Sequence, residues 1–278
     1  MRISFHRFNL RPKVELNYLS TTLIREGVFL KSESDKGIGY CEYFPHPELG
    51  DESVDEFLKT FKEQNTLAQR KALYLLDPKW IDLSLNKFFF NHQFFQKGDS
   101  PRAKIIKYKI RHNDDFGFLE LLKEKNILRL DANGLFSQES WRDFFSRIPQ
   151  EFIRFIDYIE DPIDDGEWKN ILLPCAQDFI QGSPSHVNIF KPYRDFFPQE
   201  DKRIVFSGNM GHGLSNYQSY LELVHSVDLN EFHGILTNSI YQDSPNLFLG
   251  NYTDGFSPNH SELESYIKEI ASLNWTLL

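Results

Sequence analysis

The sequence predicts an α/β protein in which a barrel of parallel strands follows an N-terminal α+β domain. Two observations lead to this prediction. The first third of the 278 residues contains strand-like segments followed by one helical stretch, whereas from about residue 86 short apolar strands alternate with amphipathic helices. Strands that alternate with helices form parallel sheets, and about eight such strands close into a barrel. We therefore predict a modified (β/α) TIM-type barrel.

The N-terminal domain is predicted over residues 1–86. Its predicted elements are strands at 2–9, 12–19, 21–32 and 37–44 and a helical pattern at 53–76. The turn signal SDKG separates the last two strands, because Asp and Gly favour tight turns.

The barrel is predicted over residues 87–249, and the segment at about 250–278 is expected to pack back on the N-terminal domain. The predicted barrel strands lie at 88–95, 104–110, 127–131, 156–160, 172–178, 187–191, 203–208 and 233–237. The predicted helices lie at 114–125, 137–147, 194–199, 214–227 and 260–273. The connection at 96–103 is too short for a helical crossover, so the barrel is predicted to lack its first helix.

Composition and charge narrow the classes of partner. The formal net charge is −9 and no run of Lys and Arg is present, which argues against binding to nucleic acid or to an anionic membrane. The apolar stretches are far shorter than the roughly 18–20 residues of a membrane span, and the N-terminus lacks the apolar core of a signal peptide. Cys41 and Cys175 form no disulfide framework or metal spacing. We expect a cytoplasmic protein with a small-molecule ligand; the oligomeric state stays open, and a monomer is compatible with the sequence.

The stretch AKIIKYKI places two lysines on one face of a predicted strand. Residues two apart share a face, so Lys107 and Lys109 point one way while Ile106, Tyr108 and Ile110 point the other. A solvated antiparallel strand shows the same alternation. On a parallel barrel strand, however, the outer face packs on helices, and the lysines would then face the barrel mouth.

Other predicted strands also end in charged residues. Asp131, Glu160, Asp178 and Lys191 each follow an apolar run and precede a turn or a helix. In parallel barrels the carboxyl ends of the strands meet at one rim, which is where catalytic groups lie. Taken alone, each acid could be a helix-capping residue after a strand, and for Asp131 by itself that explanation is favoured. Together, three carboxylates would repel one another unless a cation lay among them, and an all-oxygen set suits Mg²⁺.

Five short motifs in this order resemble the enolase superfamily. They are KYK (107–109), LRLDANG (128–134), IEDP (159–162), AQD (176–178) and IFKP (189–192). Within the superfamily they are similar to the lysine-base subgroup, which includes muconate cycloisomerases, dipeptide epimerases and o-succinylbenzoate synthases. The segment GIGYCEYFPHPELGDES (37–53) is similar to a loop of that family's capping domain, so the resemblance makes residues 1–86 a capping domain.

The resemblance implies roles for individual positions. Asp131, Glu160 and Asp178 would bind Mg²⁺, with Mn²⁺ as a possible substitute. Lys109 would be the general base, Lys107 would support it, and Lys191 would lie across the substrate. Asn133 matches an asparagine that follows the first metal ligand in the family, and Arg129 matches an arginine that favours the o-succinylbenzoate synthase branch. These implied positions are Lys107, Lys109, Arg129, Asp131, Asn133, Glu160, Asp178 and Lys191.

The glycine-rich SGNMGHG (207–213) departs from the family, whose members carry a serine-rich segment there. It follows a predicted strand and precedes a helix, so its amides could hold a substrate carboxylate, with Ser207, Gly208 and Asn209 as candidates. A tight turn that needs glycine explains the segment equally well. A different loop, in the segment 37–53, contains Glu48 and Asp51, which could approach a substrate or be solvated. His46 of the same segment is expected to be a loop residue.

For activity, the resemblance implies proton abstraction next to a carboxylate. In the o-succinylbenzoate synthase branch the substrate is 2-succinyl-6-hydroxy-2,4-cyclohexadiene-1-carboxylate. Removal of the α-proton and syn loss of the β-hydroxyl group give o-succinylbenzoate, which feeds menaquinone biosynthesis. Two alternatives remain: racemisation of N-succinylamino acids or epimerisation of dipeptides by two lysines, and a non-catalytic binding barrel that kept the fold.

Overall fold

The computed structural model describes residues 1–13, 24–95, 99–180, 182–196, 202–208, 210–226, 231–237, 240–251 and 255–278. Residues 14–19 of the predicted strand at 12–19 lie outside these residues, and so does Asn209. Within the described residues the chain forms an antiparallel sheet domain and a barrel of parallel strands.

The N-terminal sheet contains three long strands joined as an antiparallel meander. These are β1 (Arg2–Leu10), β2 (Arg25–Ser34) and β3 (Gly37–Tyr43). Two helices cover one face, α1 (Val54–Lys59) and α2 (Leu67–Leu75). Phe57 of α1 stacks on Tyr43 with ring centroids 3.8 Å apart, which buries both rings against the sheet.

The single helical pattern predicted at 53–76 is wrong in one respect, because the structure divides it. Gln64 adopts a left-handed conformation with φ of 54°, which a continuous helix does not tolerate. A new helix then begins at Thr66, where a capping box with Gln69 satisfies the free N–H groups. Ser53 and Glu56 form the same arrangement at the start of α1.

The barrel strands all run parallel. They are β4 (Phe90–Asn91), β5 (Gln93–Phe95), β6 (Ile105–Lys109), β7 (Ile127–Asp131), β8 (Ile156–Glu160), β9 (Cys175–Gln177), β10 (Val187–Phe190), β11 (Arg203–Phe206) and β12 (Phe232–His233). Strands β5 to β11 form one seven-stranded sheet in chain order. Strand β4 pairs with β12, and Ser207 bridges to Gly234, so the ring closes. The strand predicted at 88–95 is thus divided into two short strands. Strand β4 pairs with β12 and strand β5 pairs with β6, so the division lies where the barrel closes.

In the part of the chain that the structure describes, fewer helices surround the barrel than a regular α/β repeat would have. The described connections contain α3 (Phe118–Lys123), α4 (Gln138–Ser146) and α5 (Gly213–Ser226). As predicted, no helix occurs in the described residues 99–104 between β5 and β6. The connection 161–174 between β8 and β9 is also free of helix. The helix predicted at 194–199 is wrong for residues 194–196, which form a turn, and its remainder lies outside the described residues.

The C-terminal segment returns to the N-terminal sheet. It contains β13 (Phe248–Asn251), β14 (Gly255–Pro258), α6 (His260–Ala271) and β15 (Thr276–Leu277). Strand β15 pairs antiparallel with β1, with Ser4 opposite Leu277. One apolar core joins residues of the N-terminal sheet, α5 and α6, for example Leu30, Leu221 and Leu263. A second core lies beneath α3 and α4.

A buried ion pair connects the two parts of the molecule. Lys71 of α2 donates a hydrogen bond to Glu222 of α5, and the two residues are only 1% and 5% exposed. Tyr74 and Phe196 place their rings over the Lys71 ammonium group. Each charge depends on the other, because a lone charge in such surroundings is strongly unfavourable.

We expect Lys71→Met to lower the free energy of unfolding by about 3–5 kcal/mol, because it leaves the Glu222 carboxylate buried without its cation. The double variant Lys71→Met/Glu222→Leu should recover most of that loss. Urea unfolding of the three proteins measures this. A single variant as stable as the wild type would show that the pair does not hold the two parts together.

Glu42 makes a second connection between the sheet and α5. Its carboxylate is 3% exposed and accepts hydrogen bonds from the backbone N–H groups of His212, at 2.5 Å, and Ser215, at 3.0 Å. Burial raises the pKa of Glu42 to about 7, and the two N–H groups oppose this increase only in part.

The raised pKa predicts a particular pH dependence of stability. Between pH 4.5, the ordinary value, and pH 7, folded Glu42 keeps a proton that the unfolded chain releases, so its contribution to stability falls as the pH rises. Relative to the wild type, Glu42→Gln should therefore gain about 2–3 kcal/mol between pH 5 and pH 8. Urea unfolding at several pH values tests this, with Glu264→Gln on the exposed side of α6 as control. Parallel profiles for wild type and Glu42→Gln would contradict it.

Candidate active site at the barrel mouth

Strand β6 directs both of its lysines into the barrel. Lys107 and Lys109 are 8% and 7% exposed and line a pocket at the carboxyl end of the strands. On the opposite face Tyr108 packs against Phe118 of α3, with ring centroids 5.9 Å apart. The apolar face of the strand is therefore covered by a helix, while its basic face addresses a polar pocket.

The acidic residues at the neighbouring strand ends line the same pocket. Lys109, Asp131 and Glu160 are paired in register across β6, β7 and β8, so they form one row. Asp178 lies one residue beyond β9, and Lys191 one residue beyond β10. The structure thus brings together at one pocket Lys107, Lys109, Asp131, Glu160, Asp178 and Lys191.

Ion pairs hold these groups in contact. The Nζ atom of Lys107 lies 2.9 Å from Asp131 Oδ2 and 2.7 Å from Glu160 Oε2. The Nζ atom of Lys109 lies 3.4 Å from Asp131 Oδ2. Lys191 donates a hydrogen bond to Asp178 Oδ2.

The three acids of the pocket are all buried, but their pKa values shift in different directions. Burial raises the pKa of Glu160 to about 7, and the negative charge of Asp131 adds to this effect. Burial also opposes ionisation of Asp178, but Lys191 and Arg194 outweigh it and place the pKa of that carboxyl well below its usual range. For Asp131, the charges of Lys107 and Lys109 outweigh burial and lower the pKa.

The two neighbouring lysines differ as well. Burial lowers the pKa of Lys109, and the charge of Lys107 adds to the decrease while Asp131 opposes it. For Lys107 the effect of burial is exceeded by Asp131 and Glu160, which raise its pKa well above the ordinary value. Lys109 is therefore the lysine of this pair that loses its proton more readily.

The acids offer the donor set of a hard cation. One carboxylate oxygen, Asp131 Oδ1, is buried without a hydrogen-bond partner. All the candidate ligands are carboxylates, which Mg²⁺ prefers. In the described residues, however, no three acidic, cysteine or histidine side chains stand close enough to hold a metal ion as they are. The Lys191 ammonium group bonds to Asp178 instead, so a cation fits this donor set once that contact opens.

Two residues near Asp178 were not predicted. Asp161 has a positive φ of 41° and accepts the backbone N–H groups of Asp178 and Phe179 at 3.0 and 3.1 Å. The Nη2 atom of Arg194 lies 3.1 Å from Asp178 Oδ1. Both hold Asp178 in place. In the sequence, Asp161 directly follows Glu160 and Arg194 lies three residues after Lys191, which was the available signal. Only the fold shows that both residues contact Asp178.

The two supporting residues lie at different depths. Asn133 lines the pocket, in a left-handed conformation with φ of 49°. Arg129 lies below it, fully buried inside the barrel, with ion pairs of 2.9 Å to Asp157 and 2.6 Å to Glu231. The Nη1 atom of Arg129 is also 2.9 Å from His92 Nδ1, and the His92 side chain lines the pocket.

The described residues of the glycine-rich loop lie beside the pocket, and three of their N–H groups have protein partners. Ser207, Gly208 and Met210 line the pocket. The N–H groups of Ser207 and Gly208 bond to strand carbonyls, and those of His212 and Ser215 bond to Glu42. Those four N–H groups therefore already have partners within the protein, and the assignment of Ser207, Gly208 and Asn209 to substrate binding stays a prediction. The N–H groups of Ser207 and Gly208 continue the hydrogen bonding between the barrel strands, and the Glu42 carboxylate bonds to N–H groups at the start of α5.

The capping-domain loop contributes one apolar side chain to the pocket. Leu49 lines it, whereas Glu48 forms an ion pair of 2.8 Å with Arg25. Asp51 accepts the backbone N–H of His46 at 2.8 Å. A larger cavity of about 470 Å³ adjoins the pocket and shares Leu49 and Asp178 with it.

No helix in the described part of the chain is long and apolar enough to cross a membrane.

Comparisons with known proteins identify relatives of the chain. Residues 3–77 match the family described as "O-succinylbenzoate synthase, N-terminal domain". The curated o-succinylbenzoate synthase of Bdellovibrio bacteriovorus is 30% identical over 190 residues. That alignment covers 58% of this chain and 56% of the relative, so it spans little more than half of the relative's length.

Solved structures match nearly the whole chain. The o-succinylbenzoate synthase of Thermosynechococcus elongatus, with Mg in its active site, gives a TM-score of 0.67 at 15% identity, covering 98% of this chain and 100% of that one. The L-Ala-D/L-Glu epimerase of Bacillus subtilis gives 0.67 at 12% identity, with coverages of 93% and 95%. Muconate lactonizing enzyme from Pseudomonas fluorescens gives 0.67 at 14% identity, with coverages of 95% and 97%. At such identities these matches establish the fold. Together the three comparisons show that the chain has the fold of these enzymes and that part of it is similar in sequence to o-succinylbenzoate synthases.

Proposed function

We propose that the chain is an o-succinylbenzoate synthase, a carbon–oxygen lyase that dehydrates 2-succinyl-6-hydroxy-2,4-cyclohexadiene-1-carboxylate to o-succinylbenzoate. One observation carries the proposal. Three lysines and three carboxylates from consecutive strand ends converge on one pocket at the carboxyl end of the barrel, where barrel enzymes place their catalytic groups. The matched N-terminal domain family and the Bdellovibrio bacteriovorus relative carry the name of the same enzyme, which supports this reaction.

Asp131, Glu160 and Asp178 are the proposed ligands of Mg²⁺, for which Mn²⁺ is the expected substitute. The buried, unpartnered Asp131 Oδ1 and the all-oxygen donor set support this assignment. When bound, the ion supplies positive charge to the substrate carboxylate and so stabilises the negative charge that develops there.

Lys109 is the proposed general base. It removes the proton from ring carbon 1, next to the carboxylate, and its burial beside Lys107 favours the neutral form that this step requires. Lys107 remains paired with Asp131 and Glu160 and keeps the two carboxylates in place. Lys191, on the other side of the pocket, provides a fixed positive charge for the ring carboxylate as negative charge develops.

The second half of the reaction breaks the bond between ring carbon 6 and its hydroxyl group. The electron pair of the broken C–H bond forms the double bond between carbons 1 and 6, and the ring becomes aromatic. In a syn elimination the proton held by Lys109 is returned to the departing hydroxyl group, which leaves as water. No co-reactant is consumed, and aromatisation provides much of the driving force.

Racemisation or epimerisation is the second candidate, and one observation favours it. Lys109 and Lys191 line the same pocket from strands β6 and β10, which is an arrangement that two-base exchange of an α-proton would need. The synthase is preferred because the matched domain family and the curated relative both carry that description. A binding barrel without activity is the remaining alternative.

The proposed reaction also suggests a setting. The product would feed menaquinone biosynthesis, and the small-molecule substrate together with the net charge of −9 suits a cytoplasmic enzyme that binds neither nucleic acid nor membrane. A monomer would suffice, since each proposed catalytic side chain comes from one chain.

We expect purified protein to consume the diene substrate in the presence of Mg²⁺ and to stop when EDTA is added. The diene absorbance should fall as the aromatic product forms. If protein stabilised by Mg²⁺ leaves the diene unchanged but exchanges the α-proton of an N-succinylamino acid or a dipeptide, the racemase or epimerase alternative replaces the synthase. If it does neither, the non-catalytic barrel is favoured.

Two substitutions should separate the base from the metal ligands. Lys109→Ala should reduce kcat by at least about 100-fold, because the general base is lost, while the Mg²⁺-induced rise in Tm persists. Asp178→Asn should weaken both turnover and the rise in Tm. Lys123→Ala, on the exposed face of α3, is the control. Retained turnover in the folded Lys109 variant would reject the assigned base.

A further inference from the structure

Residues 207–208 and 210–213 of the glycine-rich loop form one wall of the pocket, and this wall is held from outside the barrel. Ser207, Gly208 and Met210 contribute to the pocket, and α5 begins directly after the loop at Gly213. A wall made of a glycine-rich loop has few side chains of its own to define its shape. Its position therefore depends on what holds its far side.

Glu42 holds that far side. It belongs to β3 of the N-terminal sheet, and its carboxylate bridges the N–H groups of His212 and Ser215 at the start of α5. In the described part of the chain no lysine or arginine pairs with Glu42. The carboxylate is thus directed at the N–H groups of the loop and of the helix terminus.

The fit between Glu42 and the loop leaves no free space. A Cβ atom added at Gly211 would lie 2.2 Å from Glu42 Oε1 and 3.1 Å from Phe44 Cβ. Gly211 has an ordinary backbone conformation, so the requirement for glycine here comes from the close approach of the carboxylate. Gly211 and Glu42 therefore form one close contact, and this contact depends on both residues.

His212 adds a second contact to the same side of the loop. Its ring lies edge-on to Phe8 and Phe29 of the N-terminal sheet, with centroids 5.4 and 5.3 Å away. It also stacks on Tyr266 of α6, and Nδ1 contacts the Tyr266 hydroxyl group. The loop is therefore held between the barrel pocket and residues from both ends of the chain.

We propose that Glu42 is a positioning residue, which sets the shape of the pocket by fixing loop residues 207–208 and 210–213 from the N-terminal domain. The inference rests on the proposed function for the identity of the ligand, since o-succinylbenzoate is the probe. Glu42 itself does not line the pocket; it acts through the loop backbone. The N-terminal domain then contributes to ligand binding through this carboxylate as well as through Leu49.

The test compares Glu42→Gln with Glu222→Gln. Both replace a buried carboxylate that joins α5 to the N-terminal domain, but Glu222 bonds to Lys71 near the other end of the helix. Hydrogen exchange over residues 205–216 should become faster in Glu42→Gln only. Binding of o-succinylbenzoate with Mg²⁺ at pH 8 should weaken roughly tenfold in that variant, because the Gln amide has one acceptor oxygen for the two N–H groups and leaves one of them unpaired, which loosens the loop. Glu222→Gln should lower Tm but leave binding and loop exchange unchanged.

Gly211→Ala provides the same test should Glu42→Gln not fold, because the added methyl group displaces the carboxylate without removing it. Unchanged loop exchange and unchanged product binding in a folded variant would overturn the proposal. Equal loosening of the loop in Glu222→Gln would also overturn it, because the effect would then be general loss of stability. Wild-type protein that does not bind the product would reject the proposed function instead, and loop exchange would still decide the role of Glu42.

Discussion

The structure depends on the balance of charge at the barrel mouth. Asp131, Glu160, Asp161 and Asp178 are all buried or nearly so, and water cannot stabilise their charges there. Three lysines, one arginine and two backbone N–H groups provide that stabilisation instead. A barrel interior with this many charges is stable only if each one has its partner, because an unpaired buried charge costs several kcal/mol.

Strand register produces this balance. Because β6, β7 and β8 end level with one another, Lys109, Asp131 and Glu160 fall in one row, and Lys107 lies one layer below them. Arg129 occupies that lower layer on β7, with Asp157 and Glu231 as partners. The mouth is therefore the upper layer of a charged interior that extends down the barrel. The set that supports the proposed chemistry also keeps the strand ends in place.

The N-terminal domain packs directly on the barrel. Its sheet and α2, together with α6, share one apolar core with α5. The buried pair of Lys71 and Glu222 and the contacts of Glu42 lie in the same region. Consequently the domain that covers the site also holds a wall of it, which links ligand binding to the packing between the two parts.

The sequence predicted which residues lie at the strand ends, but it did not predict which residues their side chains contact. Strands β7 and β8 lie where the apolar runs predicted them, because β-branched and aromatic residues between turn signals define strands locally. The division of the helix near Gln64 depends on a single left-handed residue, and the roles of Glu42, Asp161 and Arg194 depend on neighbours distant in the chain. Periodicity carries no information on such contacts. The motifs located the candidate site, and only the fold shows how its charges are paired.

The most direct test of the central claim is a crystal structure of the protein grown with Mg²⁺ and o-succinylbenzoate. We expect one cation bound by Asp131, Glu160 and Asp178, with the Lys191–Asp178 contact opened and the product carboxylate on the cation between Lys109 and Lys191. A cation bound elsewhere, with the lysine–carboxylate pairs of the barrel mouth unchanged, would contradict the assignment of this pocket as the active site.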